Sequence, residues 1–355
     1  MRKSGVLLPI FSLPSEYGIG CFSESAYTFI DRLKSSGQSF WQILPICPTG
    51  FGNSPYQSFS TFAGNPYMIS LKELIEEGLL SKNECDTLIT YKDDFCIDYK
   101  KQYENRIPLL YKAYERSDFK SSSEFKSFKE ENSLWLDDYT LFMALKNHFG
   151  EKEWQLWDES IKKRRPEALQ KYRIKLKKET DFYAFLQFKF YSQWKSLREY
   201  ARKSGISIIG DMPIYVSSDS ADVWTNPKLF ELDENGLPQN VAGCPPDGFS
   251  KAGQKWGNPL YRWENHKSTK YEWWLQRISY AFRLYDVLRI DHFRGFDEYY
   301  SISYKSPDAV NGVWRKGPGA SLFKELPSEK IIAEDLGFIT DSVKSLLKEC
   351  GFPGM

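Results

Sequence analysis

Apolar positions recur along this 355-residue chain in one repeated order: a helical spacing, a glycine or short turn, then a short apolar run. Residues 5–10 (GVLLPI) predict a first strand. Ala26, Phe29, Ile30 and Leu33 then recur at helical intervals, with Ser23 placed as an N-cap and Gly37 as a stop. Residues 40–46 (FWQILPI) predict a second strand. An aromatic-rich helix over 182–204 closes at Gly205 and leads into a third strand, 206–214 (ISIIGDMPI). A helix over 271–285 carries Trp274, Ile278, Ala281, Phe282 and Tyr285 on one side and feeds a strand at 287–293 (VLRIDHF). The fifth strand, 330–336 (KIIAEDL), precedes a helix through Val343, Leu346, Leu347 and Cys350.

Strands alternating with helices predict an α/β protein with a parallel sheet or barrel. No GxGxxG follows a strand and no GxxxxGK[ST] occurs, which weighs against a nucleotide-binding version. Polar residues gather at the C-terminal ends of the predicted strands, as Asp211, Asp291, Glu334 and Asp335. In a TIM-type (β/α)8 barrel that is the end where chemistry sits. Three segments are expected: 1–70 as the first part of a catalytic barrel, 71–180 as a helical insertion subdomain, and 181–355 as the barrel's continuation. The insertion is rich in Lys and Glu at helical spacing and shows no strand pattern. Within the third segment, 216–262 is rich in Pro, Gly, Asn and Asp and reads as a long loop covering a site.

Composition narrows the classes. Hydrophobic residues make up 41% and charged residues 27%, enough for a substantial core, which argues against disorder. Lys and Arg number 48 against 47 Asp and Glu, so no global field favours nucleic acid or an acidic membrane, and neither is an expected partner. The six cysteines (Cys21, Cys47, Cys85, Cys96, Cys244, Cys350) show no CxxC spacing, and three histidines are too few for a zinc cluster. The N-terminal apolar run is short and broken by proline, which does not read as a signal peptide, and no stretch approaches a membrane span. Scattered thiols and these absences predict a cytoplasmic chain.

Strand alternation sorts the polar groups. Arg289 and Asp291 share one face of their strand, with Leu288 and Ile290 on the other, so the charged pair is expected to point into the barrel. Arginine beside a carboxylate favours the ionised form, which a carboxylate nucleophile needs, and predicts a lowered pKa for Asp291. Glu334 shares a face with Ile332 and is expected among apolar neighbours, where burial would raise its pKa and suit a general acid. Asp211 shares a face with Ile209. Three inward acids from three strands are costly to bury without a purpose. Two carboxyls with opposite demands point to glycoside chemistry, in which a retaining enzyme forms a covalent sugar intermediate. Aromatics at 16% fit a sugar site, though most must be core.

Several segments carry a closer likeness. They are SLPSEYGIG (12–20), FWQILPICPTG (40–50), SPYQSFSTFAGNPYMISL (54–71), IIGDMPIYV (208–216), ADVWTNPKLF (221–230), VAGCPPDGFSKAGQKWGNPLY (241–261), LRIDHFRGF (288–296) and IIAEDLG (331–337). In this order the chain resembles the 4-alpha-glucanotransferases, also called amylomaltases or disproportionating enzymes, of the alpha-amylase clan. The resemblance implies that Asp291 is the catalytic nucleophile and Glu334 the general acid/base. It implies that Asp211, Arg289 and His292 surround the reacting sugar and that Tyr56 and Trp256 are aromatic platforms, with Asp335 counted among the substrate-binding residues. Asp247, Gln254 and Asn258 would lie in the loop over the cleft. The implied reaction moves a segment of an alpha-1,4-glucan to the 4-hydroxyl of an acceptor glucan or glucose, with maltooligosaccharides and starch- or glycogen-derived glucans as substrates and no metal or organic cofactor. Hydrolysis by the same two acids is the neighbouring alternative within the clan.

One departure accompanies the resemblance. The family's third catalytic acid, in a Thr-His-Asp-Asn-like segment, would fall beyond Met355. The pattern predicts about five strands, whereas a closed barrel of this type has eight. An incomplete barrel with a helical insertion is therefore the expected fold, belonging to a fragment of a longer protein. A second expectation follows: the chain as it stands is an inactive remnant with residual glucan binding.

Overall fold

A computed structural model describes residues 3–50, 52–89, 96–337 and 339–355. Nine strands occur among them: β1 (Gly5–Leu7), β2 (Phe40–Gln42), β3 (Ser207–Met212), β4 (Asn240–Cys244), β5 (Gln254–Pro259), β6 (Val287–Ile290), β7 (Glu298–Ser303), β8 (Val313–Lys316) and β9 (Ile331–Ala333). Five form one sheet in the order β1-β2-β3-β6-β9. The pairs β1–β2, β2–β3 and β6–β9 run parallel, with Trp41 opposite Ile208 and Arg289 opposite Ile332. The other four form a sheet in the order β5-β4-β7-β8 with antiparallel pairs.

All five expected parallel strands are present, and each is shorter than its apolar run. Pro9 follows β1 and the chain turns into a 3-10 helix at Ile10–Ser12. Pro213 ends β3 directly after Met212. Proline lacks the N–H that a ladder needs. At β6 the ladder stops at Ile290, and His292 takes a left-handed backbone with φ 49°. After β6 and β9 the tail of the run, read as strand, is instead the loop that presents Asp291, Glu334 and Asp335, whereas Asp211 lies within β3.

The antiparallel sheet corrects the reading of 216–262 as a loop alone. Two of its strands, β4 and β5, lie inside that segment. Their small and polar residues (NVAGC, QKWGNP) hide the alternation that marks a strand. Gly243 is required there, because a side chain on it would meet the Gln254 carbonyl at 2.0 Å.

The chain divides into two compact units, and β3 passes from one to the other between Ile209 and Gly210. The first comprises residues 1–49, 63–151 and 165–209. The described residues of 71–151 are helical or irregular. The helix expected from residue 182 begins earlier, at Lys177, and runs to Lys203. Its buried face packs on the helix Leu136–His148 and clusters Phe22, Phe190 and Trp194 at ring distances of 5.1 and 5.4 Å. Two of its glutamines clamp backbone: Gln187 accepts from Gly64 N–H at 2.7 Å and donates to Gly64 O at 2.9 Å, and Gln193 accepts from Ser70 N–H at 2.7 Å. Ser23 occupies the expected N-cap position, but its hydroxyl makes no cap bond to the helix.

The second unit comprises residues 50–62, 152–164 and 210–355, so Lys152–Arg164 clusters with it rather than with the rest of 71–180. Its core includes Trp224, Trp274, Phe230 and Tyr261, all at most 1% exposed. Gly210 lets Tyr285 approach, since a Cβ there would meet the ring at 2.1 Å. Arg277 ties the unit together by donating to Thr61 Oγ1 at 2.7 Å and Ile214 O at 3.1 Å. No helix among the described residues is long and apolar enough to cross a membrane.

Candidate active site

The second unit contains every candidate site residue expected from the sequence. The alternation along β6 works as expected: Leu288 and Ile290 are fully buried, while Arg289 and Asp291 point the other way. The Arg289 guanidinium is the hub. Its Nη1 donates to Asp211 Oδ1 at 2.5 Å and Asp291 Oδ1 at 3.1 Å, and its Nη2 lies 4.0 Å from Glu334 Oε2. Acids from the ends of β3, β6 and β9 thus converge on one cation. Tyr56 donates its hydroxyl to the other oxygen of Asp211 at 2.7 Å.

The electrostatics differ from the expectation at Asp291. Its carboxyl is pushed up to about 6, not down. Burial is the main cause and the Asp211 charge adds to it; Arg289 opposes both without overcoming them. Asp211, with a side chain 1% exposed, is also raised by burial, against Arg289 and Tyr56. Burial, and then Asp211, pushes the Tyr56 phenol up, so it stays a donor. Burial lowers His292 to about 4, which keeps its imidazole neutral at pH 7.

Glu334 is mostly buried and held by backbone donors. Its Oε2 accepts from His292 N–H at 2.6 Å and its Oε1 from Leu336 N–H at 3.1 Å. The left-handed turn at His292 makes the first bond available. Non-glycine residues adopt that conformation at a cost and persist in it where surrounding bonds enforce it. Phe293 N–H to Glu334 O at 3.1 Å and Glu334 N–H to Ile290 O at 2.9 Å are such bonds.

The remaining residues separate by what they touch. Trp256 stands edge-on to His292 with ring centroids 5.0 Å apart, and Gln254 fixes its indole N–H at 3.0 Å. Asn258 is buried and both ends of its amide are engaged: Oδ1 accepts from Gln57 at 2.9 Å and Nδ2 donates to Val216 O at 2.9 Å. Asp247 accepts from Phe249 N–H and Ser250 N–H at 2.8 and 2.7 Å, closing the turn of its own exposed loop. Asp335 accepts from Met355 N–H at 2.9 Å. Met355 in turn accepts from Arg289 Nε through its sulfur at 3.1 Å, which links Asp335 to the Arg289 cluster, whereas among the described residues no hydrogen bond or ion pair joins Asn258 or Asp247 directly to it.

Gln57 was not singled out from the sequence. Its Nε2 donates to Trp256 O at 3.1 Å and to Asn258, so it fastens the stretch that carries the indole. Arg294, also missed, lies 4.0 Å over the Trp314 ring. Both lie inside segments quoted above, but a glutamine or arginine carries no signal of its partner 20 or 200 residues away.

Three acids on one arginine at the strand ends of a parallel α/β sheet, flanked by a neutral histidine and a tryptophan, define a protein of the barrel-built, glycoside-active class. Comparison with known proteins narrows this. The 4-alpha-glucanotransferase family model matches residues 8–355. The chain is 48% identical to a 4-alpha-glucanotransferase of Clostridium butyricum, over 98% of this chain and 72% of that protein. It is also 48% identical to one of Aquifex aeolicus, over 100% of this chain and 73% of that protein. Among solved structures, the amylomaltase of Streptococcus agalactiae in complex with acarbose superposes with a TM-score of 0.96 at 45% identity, covering 100% of this chain and 73% of that one. The chain belongs to the 4-alpha-glucanotransferase family. Its fold is the incomplete TIM-type barrel with a helical insertion.

Proposed function

We propose that the protein transfers a segment of an alpha-1,4-glucan to the 4-hydroxyl of an acceptor glucan or glucose by double displacement. Asp291 attacks the anomeric carbon as a carboxylate, forming an ester bond to the sugar. The glycosidic bond breaks as its oxygen takes the proton of Glu334. The acceptor hydroxyl then gives its proton to Glu334 and attacks the same carbon, and the bond to Asp291 breaks. Two inversions give net retention. Asp211 and Arg289 hold Asp291 in place and His292, uncharged, offers a hydrogen bond to a sugar hydroxyl. Tyr56 and Trp256 supply ring faces for the glucan. Gln254 and Asn258 act through Trp256 and its strand, and Asp247 acts through its loop.

The observation that carries this reading is the single guanidinium against which Asp291 and Glu334 both lie. The family supports glucan transfer, and the acarbose held by the S. agalactiae relative supports a glucan-shaped cleft. Incubating the chain with maltotriose tests it. Transfer yields glucose together with chains longer than maltotriose; shorter products alone would indicate hydrolysis, and no products would overturn the activity.

A further inference from the structure

The second unit holds a cleft of about 540 Å³ that shares no residue with the Arg289 cluster. Its wall includes Lys162, Lys163, Arg164, Lys228 and Arg262, against Asp233 and Glu234. Two of these cations share one carboxylate: Glu159 lies 2.9 Å from Lys162 Nζ and 2.6 Å from Lys163 Nζ. Asp233 is occupied as a turn acceptor for Asn235 N–H and Leu237 N–H, both at 2.9 Å. Arg262 donates to two carbonyls, Phe230 O at 2.7 Å and Leu232 O at 2.8 Å, and forms no ion pair among the described residues. Neither does Lys228. The lining thus carries five cations against two carboxylates, and Glu159 beside it adds a third, in a chain balanced to +1 overall.

Two residues of its wall are fixed in place. Arg164 takes a left-handed backbone, φ 52°, and its guanidinium lies 4.3 Å over the buried Trp224 ring. Trp154, on the same wall, is anchored by its indole N–H to Ser218 O at 2.8 Å. A volume in the range of small-ligand sites, with several cations in its lining, suits a compact charged anion. Asn235 adds an amide to the lining that matches a hydroxyl group, and Asn265 adds its Oδ1 while its Nδ2 donates to Lys228 O at 2.6 Å.

We propose that this cleft binds a phosphorylated sugar, its phosphate held by the lysines and Arg262 and its hydroxyls by the amide wall. Isothermal titration of the intact protein with glucose 1-phosphate, inorganic phosphate and glucose tests it, in the wild type and in a K163E/K228E variant. Both lysines are exposed, so the variant is expected to fold; unchanged maltotriose turnover checks this. R262Q serves as a second, independent variant. Glucose 1-phosphate is expected to bind with an affinity that falls with salt and that drops roughly tenfold or more in each variant. Free phosphate is expected to bind more weakly with the same sensitivity, and glucose to show none. Inorganic phosphate binding as tightly as the ester would overturn the sugar assignment. Absence of phosphate-dependent binding, or an affinity that charge reversal leaves untouched, would overturn the site.

Discussion

Replacing Asp291 by asparagine should abolish transfer and at the same time stabilise the fold. The carboxyl sits at about 6 in the folded protein against 3.8 for an unperturbed aspartate. Between those values the folded protein holds the proton more tightly than the unfolded chain does. Unfolding free energy therefore falls as pH rises from about 4 to about 6, and the full deficit is present above that. At 1.36 kcal/mol per pH unit the deficit is about 3 kcal/mol. Asparagine removes the charge but weakens one of Arg289's contacts; Asp211 still holds the guanidinium at 2.5 Å. The net gain is expected at about 1–3 kcal/mol at pH 8 and near zero at pH 4. Thermal or urea unfolding at both pH values measures it. Activity should fall by about 10⁴-fold or more, the scale seen when a covalent nucleophile is lost. A variant less stable than wild type at pH 8, or a gain equal at both pH values, would refute the electrostatic reading.

Three further outcomes follow from the same geometry. The kcat/KM for maltotriose should fall below about pH 6, because the free enzyme needs Asp291 ionised; a flat acid limb down to pH 4.5 would exclude this group as the essential base form. Glu334→Gln keeps an acceptor for His292 N–H, so the fold should survive while turnover of maltotriose drops by about 10²–10⁴-fold. A maltosyl donor with an acidic phenol as leaving group should recover most of the first step, and equal loss on both donors would argue against acid catalysis by Glu334. Asn258→Ala breaks a buried bond to Val216 O and a part-buried bond from Gln57, leaving the Val216 carbonyl short of a partner, costing about 1–3 kcal/mol of stability in a denaturant titration and raising KM through Trp256.

The charged face of VLRIDHF was legible in the sequence because strand alternation has period two and Leu288 and Ile290 are unambiguous. The convergence of three strand ends was legible for the same reason. The ends of the strands were not. Ile214 prolongs its run past the proline after β3, and Phe293 prolongs its run past the left-handed His292 after β6. Strands β4 and β5 were hidden by glycine and asparagine, which pair well here only because Gly243 admits the Gln254 carbonyl. The direction of the Asp291 shift was the hardest to read. The adjacent arginine is visible in the sequence, but desolvation and the Asp211 charge outweigh it, and both depend on packing. Likewise Glu334 meets amides because His292 turns left-handed, which no residue pattern announces.

Trapping the reaction intermediate tests the central claim most directly. The Glu334→Gln variant, given an alpha-maltosyl donor with a fluoride leaving group, should form the sugar ester and release it slowly. Digestion and mass spectrometry should then locate one added glycosyl chain on the peptide containing Asp291. A label on another carboxylate, or turnover of the donor with inverted anomeric configuration and no label, would contradict the account.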